Sequence, residues 1–411
     1  MYLFIYKAEL LEQHLKLKQK INQLADQCVK CGMCLPTCPT YKVSKNESES
    51  PRGRIALMQG IVNGDLPLNS KVTKHLDHCV SCLSCENICP STVQYETLID
   101  SIREYTAINT NNKKTGKIIS LLLAPLVKNT LFGVMRLYQG SGLQFLFRSS
   151  GILKPLGLKE KDKLLPKLSS RLKLKPLYKT QQQSALGTVA LFTGCMGDIF
   201  EQNTIQASIT VLNALGFNVA IPKQVCCGAL HQHSGYPTQA ESFATVNRRS
   251  LLSADKYVAI LFTASGCGTQ LKSSLKQASI PVHSIMQFVS LYIHKNTLTL
   301  KPVQQHVAIH QPCSLKNSLH EEQAVIEILS AIPQLRITEL QAECCGAAGK
   351  NMLTQPQLAA QIRQPIIEQI DKFSPNLLVS SNIGCALHLK SAISDNIPLI
   401  HPVELLAKSF E

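Results

Sequence analysis

Residues 79–90 read CVSCLSCENICP, and the earlier residues 28–39 read CVKCGMCLPTCP. Both stretches have the form C-x2-C-x2-C-x3-C-P. Each cysteine of the later run follows its counterpart by 51 residues, since 79 − 28 and 89 − 38 both equal 51. The pattern therefore indicates a duplicated unit in which closely spaced thiolates bind metal.

Three thiolates spaced by two residues hold one iron–sulfur cluster, and in two-cluster ferredoxins the fourth cysteine of each run binds the other cluster. Structural zinc sites, the alternative, typically use two C-x2-C pairs set well apart. Pro39 and Pro90 close both runs with a fixed φ. We predict two [4Fe-4S] clusters with crossed ligands, namely Cys28, Cys31, Cys34 and Cys89 for cluster 1 and Cys79, Cys82, Cys85 and Cys38 for cluster 2.

Composition limits the function classes that remain. The chain has 411 residues, enough for two or three domains. Its sixteen cysteines are too sparse for a disulfide scaffold, and the first residues lack a signal-peptide pattern, so we expect reduced thiols in the cytosol. The net charge of +15 suits nucleic acid, an anionic membrane or an acidic partner. Tryptophan is absent, which leaves little material for stacking single-stranded nucleic acid.

The cysteine runs lie among helical patterns. Apolar residues recur at helical spacing over residues 8–26, over residues 55–62 and over residues 98–106. We therefore predict an α-helical ferredoxin domain over residues 1–110. Arg52 and Arg54 of the Pro-Arg-Gly-Arg segment either offer charge to the clusters or a partner, or belong to a solvated helix N-terminus.

Residues 111–185 are predicted to be an amphipathic and basic linker. The apolar run at residues 118–127 is too short to span a bilayer and is broken by Pro125. With residues 131–134 and 143–147 it indicates amphipathic helix lying on another domain or on a membrane face. Residues 154–179 are rich in lysine and arginine, which is typical of a linker or an extended arm.

The C-terminal half contains a second duplication, with an offset of 118 residues, as in 313 − 195. Each copy reads strand, helix, strand, CCG loop, helix, strand, cysteine and helix, with Asp198 as the expected cap of the first helix. This alternation predicts two α/β lobes with mostly parallel sheets, over residues 186–300 and 301–411. The predicted strands are at residues 188–193, 217–221, 257–263, 306–310, 336–340 and 376–380.

The eight late cysteines are predicted to lie at the carboxyl ends of these strands, beside helix N-termini that favour negative charge. They form further iron–sulfur sites or are packed or redox-active thiols. His231, His233 and His310 lie near them in sequence, either as ligands or proton carriers or as hydrogen-bonded loop histidines. Glu343 either tunes the potential of a cluster or pairs with a lysine. The two sets are Cys195, Cys226, Cys227 and Cys267, and Cys313, Cys344, Cys345 and Cys385.

The twin cysteine runs, the Pro-Arg-Gly-Arg segment, the two CCG units and the closing stretch His401 to Leu406 resemble the iron–sulfur subunit of bacterial glycolate oxidase. More distant resemblance extends to iron–sulfur subunits of D-lactate and anaerobic glycerol-3-phosphate dehydrogenases and to heterodisulfide reductase subunits. Heterodisulfide reductases carry a further cysteine in each unit, where this chain has Ala264 and Asn382. The four remaining cysteines per unit suffice for one ordinary cluster each.

The resemblance implies a complex in which a separate FAD-binding subunit oxidises glycolate to glyoxylate and this chain passes the electrons towards quinone. It also implies a cytoplasmic protein at the inner face of the cytoplasmic membrane. No G-x-G-x-x-G loop follows a strand, so we expect no flavin on this chain, and we expect no nucleic-acid partner. The alternatives are a D-lactate or glycerol-3-phosphate dehydrogenase subunit, a CCG-type thiol or disulfide reductase subunit, and a nucleic-acid-binding iron–sulfur protein. The predicted fold class is α+β multidomain.

Overall fold

The computed structural model describes the chain except residues 1, 111–112, 169–171, 254–256, 294–298, 342–343 and 411. It divides into two compact units. The first unit comprises residues 1–120 with the short segments 230–240 and 346–362, and the second comprises the remainder. These units cut across the predicted domain boundaries, because the two short segments pack with the N-terminal residues; the boundaries themselves stay predictions.

Helices account for most of the regular structure. One 3₁₀ turn spans Glu47–Glu49, and one π-helical turn spans Ser314–Leu319. The α-helices are α1 (Tyr2–Ala25), α2 (Pro39–Ser44), α3 (Pro51–Asn63), α4 (Ser70–Asp77), α5 (Ser84–Asn87), α6 (Tyr95–Asn109), α7 (Lys113–Leu123), α8 (Pro125–Gly140), α9 (Leu143–Ser150), α10 (Lys159–Lys163), α11 (Gly194–Phe200), α12 (Gln202–Ala214), α13 (Ala229–Gln232), α14 (Pro237–Leu251), α15 (Ser265–Ser274), α16 (Ile285–Ile293), α17 (Glu322–Ser330), α18 (Asn351–Thr354), α19 (Pro356–Phe373), α20 (Ile383–Lys390) and α21 (Pro402–Lys408).

The first unit is built around α1, α3 and α6. Helix α3 begins where Ser50 accepts a hydrogen bond from the Gly53 amide, has Pro51 at its first position, and ends at Gly64 with φ +87°. The apolar faces of the three helices meet in one core. Its central residues have no exposed surface: Ile21, Met58, Leu98, Ile99 and Ile102. The predicted α-helical character of the ferredoxin domain is confirmed.

The second unit contains two sheets. The first lobe has strand order β1-β3-β2-β4-β5 and the second lobe has order β7-β6-β8-β9. Every pairing is parallel except that of β1 with β3. The strands are β1 (Leu177–Tyr178), β2 (Gly187–Phe192), β3 (Phe217–Ala220), β4 (Tyr257–Phe262), β5 (Val282–Ser284), β6 (His306–His310), β7 (Arg336–Glu339), β8 (Leu377–Ser380) and β9 (Leu399–Ile400). The predicted α/β lobes with mostly parallel sheets are therefore confirmed, and the six predicted strands agree to within one residue.

Two local expectations differ from the structure. The basic stretch at residues 154–179 is not wholly a linker, because β1 pairs with β3 as an edge strand of the first lobe. Asp198 does not begin the helix after β2, because it lies inside α11, which starts at Gly194, and a break at Glu201 separates α11 from α12.

The two lobes share one apolar core. Helix α21, at the end of the second lobe, packs on α12 of the first, and α16 of the first packs on α17 of the second. The Thr204 hydroxyl donates to Glu404 Oε1 at 2.6 Å, and His401 Nε2 lies 3.0 Å from the Thr263 carbonyl oxygen. Through these contacts the closing stretch His401 to Leu406 packs against the first lobe.

The predicted amphipathic stretch forms α7, α8 and α9, with Pro125 starting the second of these helices. Many of its apolar side chains are exposed, and the exposed fraction reaches 79% for Leu126 and for Phe145. Among the described residues no single helix is long and apolar enough to cross a membrane. The bent pair formed by residues 115–123 and 126–140, which meet at 68°, satisfies the length and composition criteria together.

Candidate iron–sulfur sites

The first unit contains two neighbouring cavities lined by cysteine. The first cavity brings together Cys28, Cys31, Cys34 and Cys89, the residues predicted for cluster 1, and Cys85 also lines its wall. Cys89 arrives from the later run, because α5 and the following turn carry it back towards the earlier one. Cys31 is exposed and the other three are partly buried, so this cavity is the more accessible of the two.

The second cavity is lined by Cys38, Cys79, Cys82 and Cys85, the residues predicted for cluster 2. Cys38 lies directly before α2 and is buried, as is Cys82. Apart from Cys85, which lines both, each cavity thus combines cysteines of one run with the fourth cysteine of the other. The assignment of these eight thiols as cluster ligands stays a prediction, to which the structure adds their placement.

The start of α3 lies between the cavities, and Pro51 lines both. Arg52 lines the first cavity, where its Nη1 donates to the Lys30 carbonyl at 3.0 Å and its Nε to Glu47 Oε1 at 2.7 Å. Arg54 lines the second cavity. The Pro-Arg-Gly-Arg segment therefore places one guanidinium beside each group of cysteines.

Arg54 belongs to a buried polar network. Its side chain is 1% exposed, its Nη2 donates to Glu49 Oε2 at 2.6 Å, and its Nη1 donates to Thr40 Oγ1 at 3.0 Å. Glu49 Oε1 also lies 2.7 Å from His75 Nδ1 and 2.8 Å from His78 Nδ1. Of the two interpretations that the sequence allows for Arg54, a solvated helix N-terminus is excluded by this burial.

The cysteine donor set fits an iron–sulfur cluster. Burial, together with the neighbouring Cys82 and Cys79 thiolates, raises the pKa of Cys85 well above its ordinary value. Burial likewise raises the pKa of Cys34. Crowded buried thiols resist ionisation by themselves, but a bound cation stabilises the thiolate form directly. All sixteen cysteines are free of disulfides, so the thiols are available as ligands.

In the first lobe four cysteines meet at the carboxyl ends of β2, β3 and β4. Cys195 lies in α11, Cys226 and Cys227 follow β3, and Cys267 lies in the first turn of α15. The sulfurs of Cys195 and Cys226 are 3.6 Å apart. A hydrogen bond from Cys195 lowers the pKa of Cys226, but its hydrogen bond with Cys227 and burial together raise that pKa to about 12.

The second lobe repeats this arrangement with closer contacts. The sulfurs of Cys345 and Cys385 lie 2.8 Å apart, and Asn382 Nδ2 donates to Cys385 Sγ at 3.4 Å. A hydrogen bond with Cys344 and burial raise the pKa of Cys313 well above its ordinary value. Each lobe therefore gathers its four predicted cysteines into one group of buried and partly buried thiols, which fits a metal by the same chemistry as the ferredoxin-type cavities.

The histidines near the CCG loops have separate environments. His231 Nε2 lies 3.0 Å from Ser120 Oγ, and His233 Nδ1 lies 3.2 Å from the Asp100 carboxylate, so both are hydrogen-bonded within the first unit. His310 instead lies with Cys345 and Cys385, and their ligand atoms are all within 4.8 Å of one another. Glu343 lies outside the described residues.

Some groups that surround the cysteines were not predicted from the sequence. Arg103 Nη2 donates to the Cys79 carbonyl at 2.7 Å, and the Tyr95 hydroxyl donates to Cys79 Sγ at 3.8 Å. Glu49 is hydrogen-bonded to Arg54, which lines the second cavity, and His75 is hydrogen-bonded to Glu49. No spacing rule links these residues to the cysteines, because folding alone brings them together.

Comparison with known proteins agrees with this geometry. Residues 24–93 match the family model of the 4Fe-4S dicluster domain, and residues 189–272 and 307–390 match the model of the cysteine-rich domain. Both matches contain the cysteines described above.

Similarity to curated relatives extends over most of the chain. The probable glycolate oxidase iron–sulfur subunit of Bacillus subtilis is 29% identical over 93% of each chain. The glycolate oxidase iron–sulfur subunit of Escherichia coli is 29% identical over 93% of this chain and 94% of its own. A subunit of the anaerobic glycerol-3-phosphate dehydrogenase of Escherichia coli is 25% identical over 93% of this chain and 98% of its own.

Proposed function

Because the chain belongs to the family of iron–sulfur proteins that includes the glycolate oxidase iron–sulfur subunits, we propose that it carries electrons for a flavoenzyme complex that oxidises a 2-hydroxy acid, glycolate above all. At the coarser level, the chain is an electron-transfer subunit related to oxidoreductase complexes. The FAD-binding partner, the product glyoxylate and the passage of electrons towards quinone are parts of the proposal.

The observation that carries it is the pair of adjoining cavities. Cys28, Cys31, Cys34 and Cys89 would hold cluster 1, and Cys38, Cys79, Cys82 and Cys85 would hold cluster 2. When bound, the clusters supply one-electron carriers. Pro51, Cys85 and Tyr95 line both cavities, so the two sites share a wall.

The residues around the cavities position these ligands and offset their charge. Arg54 and Arg52 place positive charge beside thiolate-rich sites, where the added negative charge of an electron would otherwise be costly. Because Cys31 is exposed, we propose that electrons from a partner enter the chain at the first cavity. Within this proposal the chain itself holds no substrate.

We further propose that the protein is cytoplasmic and associates peripherally with the inner face of the membrane through α7, α8 and α9. Leu126, Leu137 and Phe145 are 79%, 69% and 79% exposed. Large apolar side chains exposed together are typical of a surface that binds a partner or a membrane. The net charge of +15 complements anionic lipid. Flotation with phosphatidylserine vesicles tests this: serine at these three positions should abolish binding, and unchanged binding would refute the proposal.

The substrate assignment is tested by isolating the complex. The native chain should co-purify with a flavoprotein, and glycolate-dependent dye reduction should require both proteins. A Cys82→Ser variant should retain the partner but lose electron transfer to the dye. Glycolate oxidation by this chain alone would refute the subunit role, whereas reduction by D-lactate or glycerol 3-phosphate in place of glycolate would refute only the substrate.

A further inference from the structure

The duplication allows the two CCG sites to be compared position by position. In the first lobe β2 and β4 end side by side at Phe192 and Phe262, which pair in register. An offset of 118 residues, as in 310 − 192 and 380 − 262, gives their counterparts as His310 and Ser380. These two residues pair in register at the ends of β6 and β8. We call the pair of strand-end residues in each lobe the floor of its cysteine site. The floor is apolar in the first lobe and polar in the second.

The apolar floor of the first lobe is closely packed. Phe192 and Phe262 are 1% and 0% exposed. A Cβ on Gly268 would lie 2.2 Å from the ring of Phe262, so only glycine leaves room for that ring. A Cβ on Gly194 would lie 3.6 Å from both Phe192 Cε1 and Cys267 Sγ, so the ring of Phe192 borders the thiol site. Aromatic carbon there offers no metal ligand.

The second lobe places an imidazole at the same point. His310 is 3% exposed, and its Nδ1 lies 3.0 Å from Ser380 Oγ. The ligand atoms of His310, Cys345 and Cys385 lie within 4.8 Å of one another, and among the described residues they are the only such group. Ala386 replaces Gly268 in this lobe, in keeping with the loss of the large ring. In the second lobe polar side chains thus replace both phenylalanine rings, and alanine replaces the glycine that makes room for one of them.

We propose that His310 is a metal ligand of the second CCG site, so that the two duplicated sites bind metal through different ligand sets. The second would use imidazole with the thiolates of Cys345 and Cys385, whereas the first would use thiolates alone. Imidazole and thiolate together suit iron in a cluster or a single zinc ion.

The surroundings of His310 match those of a histidine ligand. A ligating imidazole usually engages its other ring nitrogen in a hydrogen bond that fixes its orientation. Here Ser380 engages Nδ1, which leaves Nε2 for the metal. The three potential ligands come from the end of β6, the CCG loop and the first turn of α20, which are fixed elements of one lobe.

The test uses the full chain labelled with [15N]histidine, loaded anaerobically with iron and sulfide or with zinc. Elemental analysis identifies the metal, and a Cys385→Ser variant identifies the signal of the second site. For iron, pulsed EPR should detect nitrogen coupling at that signal; for zinc, X-ray absorption should show both nitrogen and sulfur bound directly to the metal. His310→Phe, which copies the first lobe, should remove the nitrogen contribution.

His306→Phe is the matched control, because His306 lies at the opposite end of the same strand and bonds to Thr338. It should leave the nitrogen contribution intact. Ser380→Ala keeps the imidazole and should retain that contribution with weakened metal affinity, about 10- to 100-fold. Coordination by sulfur alone in the wild-type protein, a nitrogen signal that survives His310→Phe, or a second site that takes neither metal would overturn the proposal.

Discussion

The polar network of Arg54 predicts that replacing Glu49 destabilises the first unit far more than replacing the neighbouring Glu47. Glu49 pairs with Arg54 at 2.6 Å, with side chains 7% and 1% exposed. Glu47 pairs with Arg52 at 2.7 Å, with side chains 50% and 30% exposed. The two pairs have the same sequence spacing and lie at the start of the same helix, so they differ in burial and in the two histidines that also contact Glu49.

Replacing Glu49 by glutamine removes the charge that compensates a buried guanidinium. Breaking a buried pair by removing one partner costs about 3–5 kcal/mol, because the remaining charge stays desolvated. The equivalent loss at an exposed pair is much smaller, because water screens the charge that remains. Since about 1.4 kcal/mol is a factor of ten, Glu49→Gln should raise the population of locally opened first unit by roughly 10²- to 10⁴-fold.

Hydrogen exchange followed by mass spectrometry measures this directly. Amides of α3 and α4 should lose protection in Glu49→Gln by the factor above, and those of the second unit's sheets should not change. Glu47→Gln is the control and should change protection by less than about tenfold. Equal effects of the two substitutions, or full protection of α3 in Glu49→Gln, would show that burial of this pair does not control the stability of the second cavity.

Three further predictions concern other parts of the chain. Cys89→Ser should weaken the EPR signal of the cluster held by Cys28 and spare the other cluster; loss of the other cluster instead would refute the crossed ligation. Gly346→Ala should destabilise the protein by about 1–3 kcal/mol in thermal unfolding, because φ is +79° and its Cβ would lie 2.5 Å from a backbone oxygen. Gly64→Ala, with φ +87° and open space, should cost less. Burial raises the pKa of Glu201 from 4.5 to about 8, so the folded state holds a proton that the unfolded state releases. The stability that the protonated Glu201 gives to the folded state is therefore fully present below pH 4.5 and lost as pH rises towards about 8. Glu201→Gln should flatten the fall of the unfolding midpoint over this range. An unchanged slope would show that Glu201 does not cause this pH dependence.

Strand positions were predictable because they depend on local patterns, whereas the predicted helix start at Asp198 was wrong. Five of the six predicted strands are mostly apolar and mostly buried, as expected for strands covered on both faces, whereas β7 is a partly exposed edge strand. The short edge strands β1, β5 and β9 were not predicted. Two or three residues give no periodicity, and β1 exists only because β3 offers it a partner.

The cysteine spacing by itself determined the most about this protein. Runs such as residues 79–90 carry their chemistry in sequence, because three ligands on one short loop meet a metal whatever surrounds them. Placement of Cys89 and Cys38 across the two cavities follows from that spacing and is seen in the fold. The offset of 118 residues likewise predicted that each lobe would gather its own four thiols.

Only the tertiary structure decided which other groups face those sulfurs. Arg54 is buried against Glu49 while Arg52, two residues away, is partly exposed, and no local pattern distinguishes them. His310 meets Cys345 because parallel strands bring distant residues to one edge of a sheet, and its counterpart Phe192 fills that place in the first lobe. Ligands close in sequence are fixed by covalent spacing, whereas the groups that tune them are fixed by packing between elements far apart in the chain.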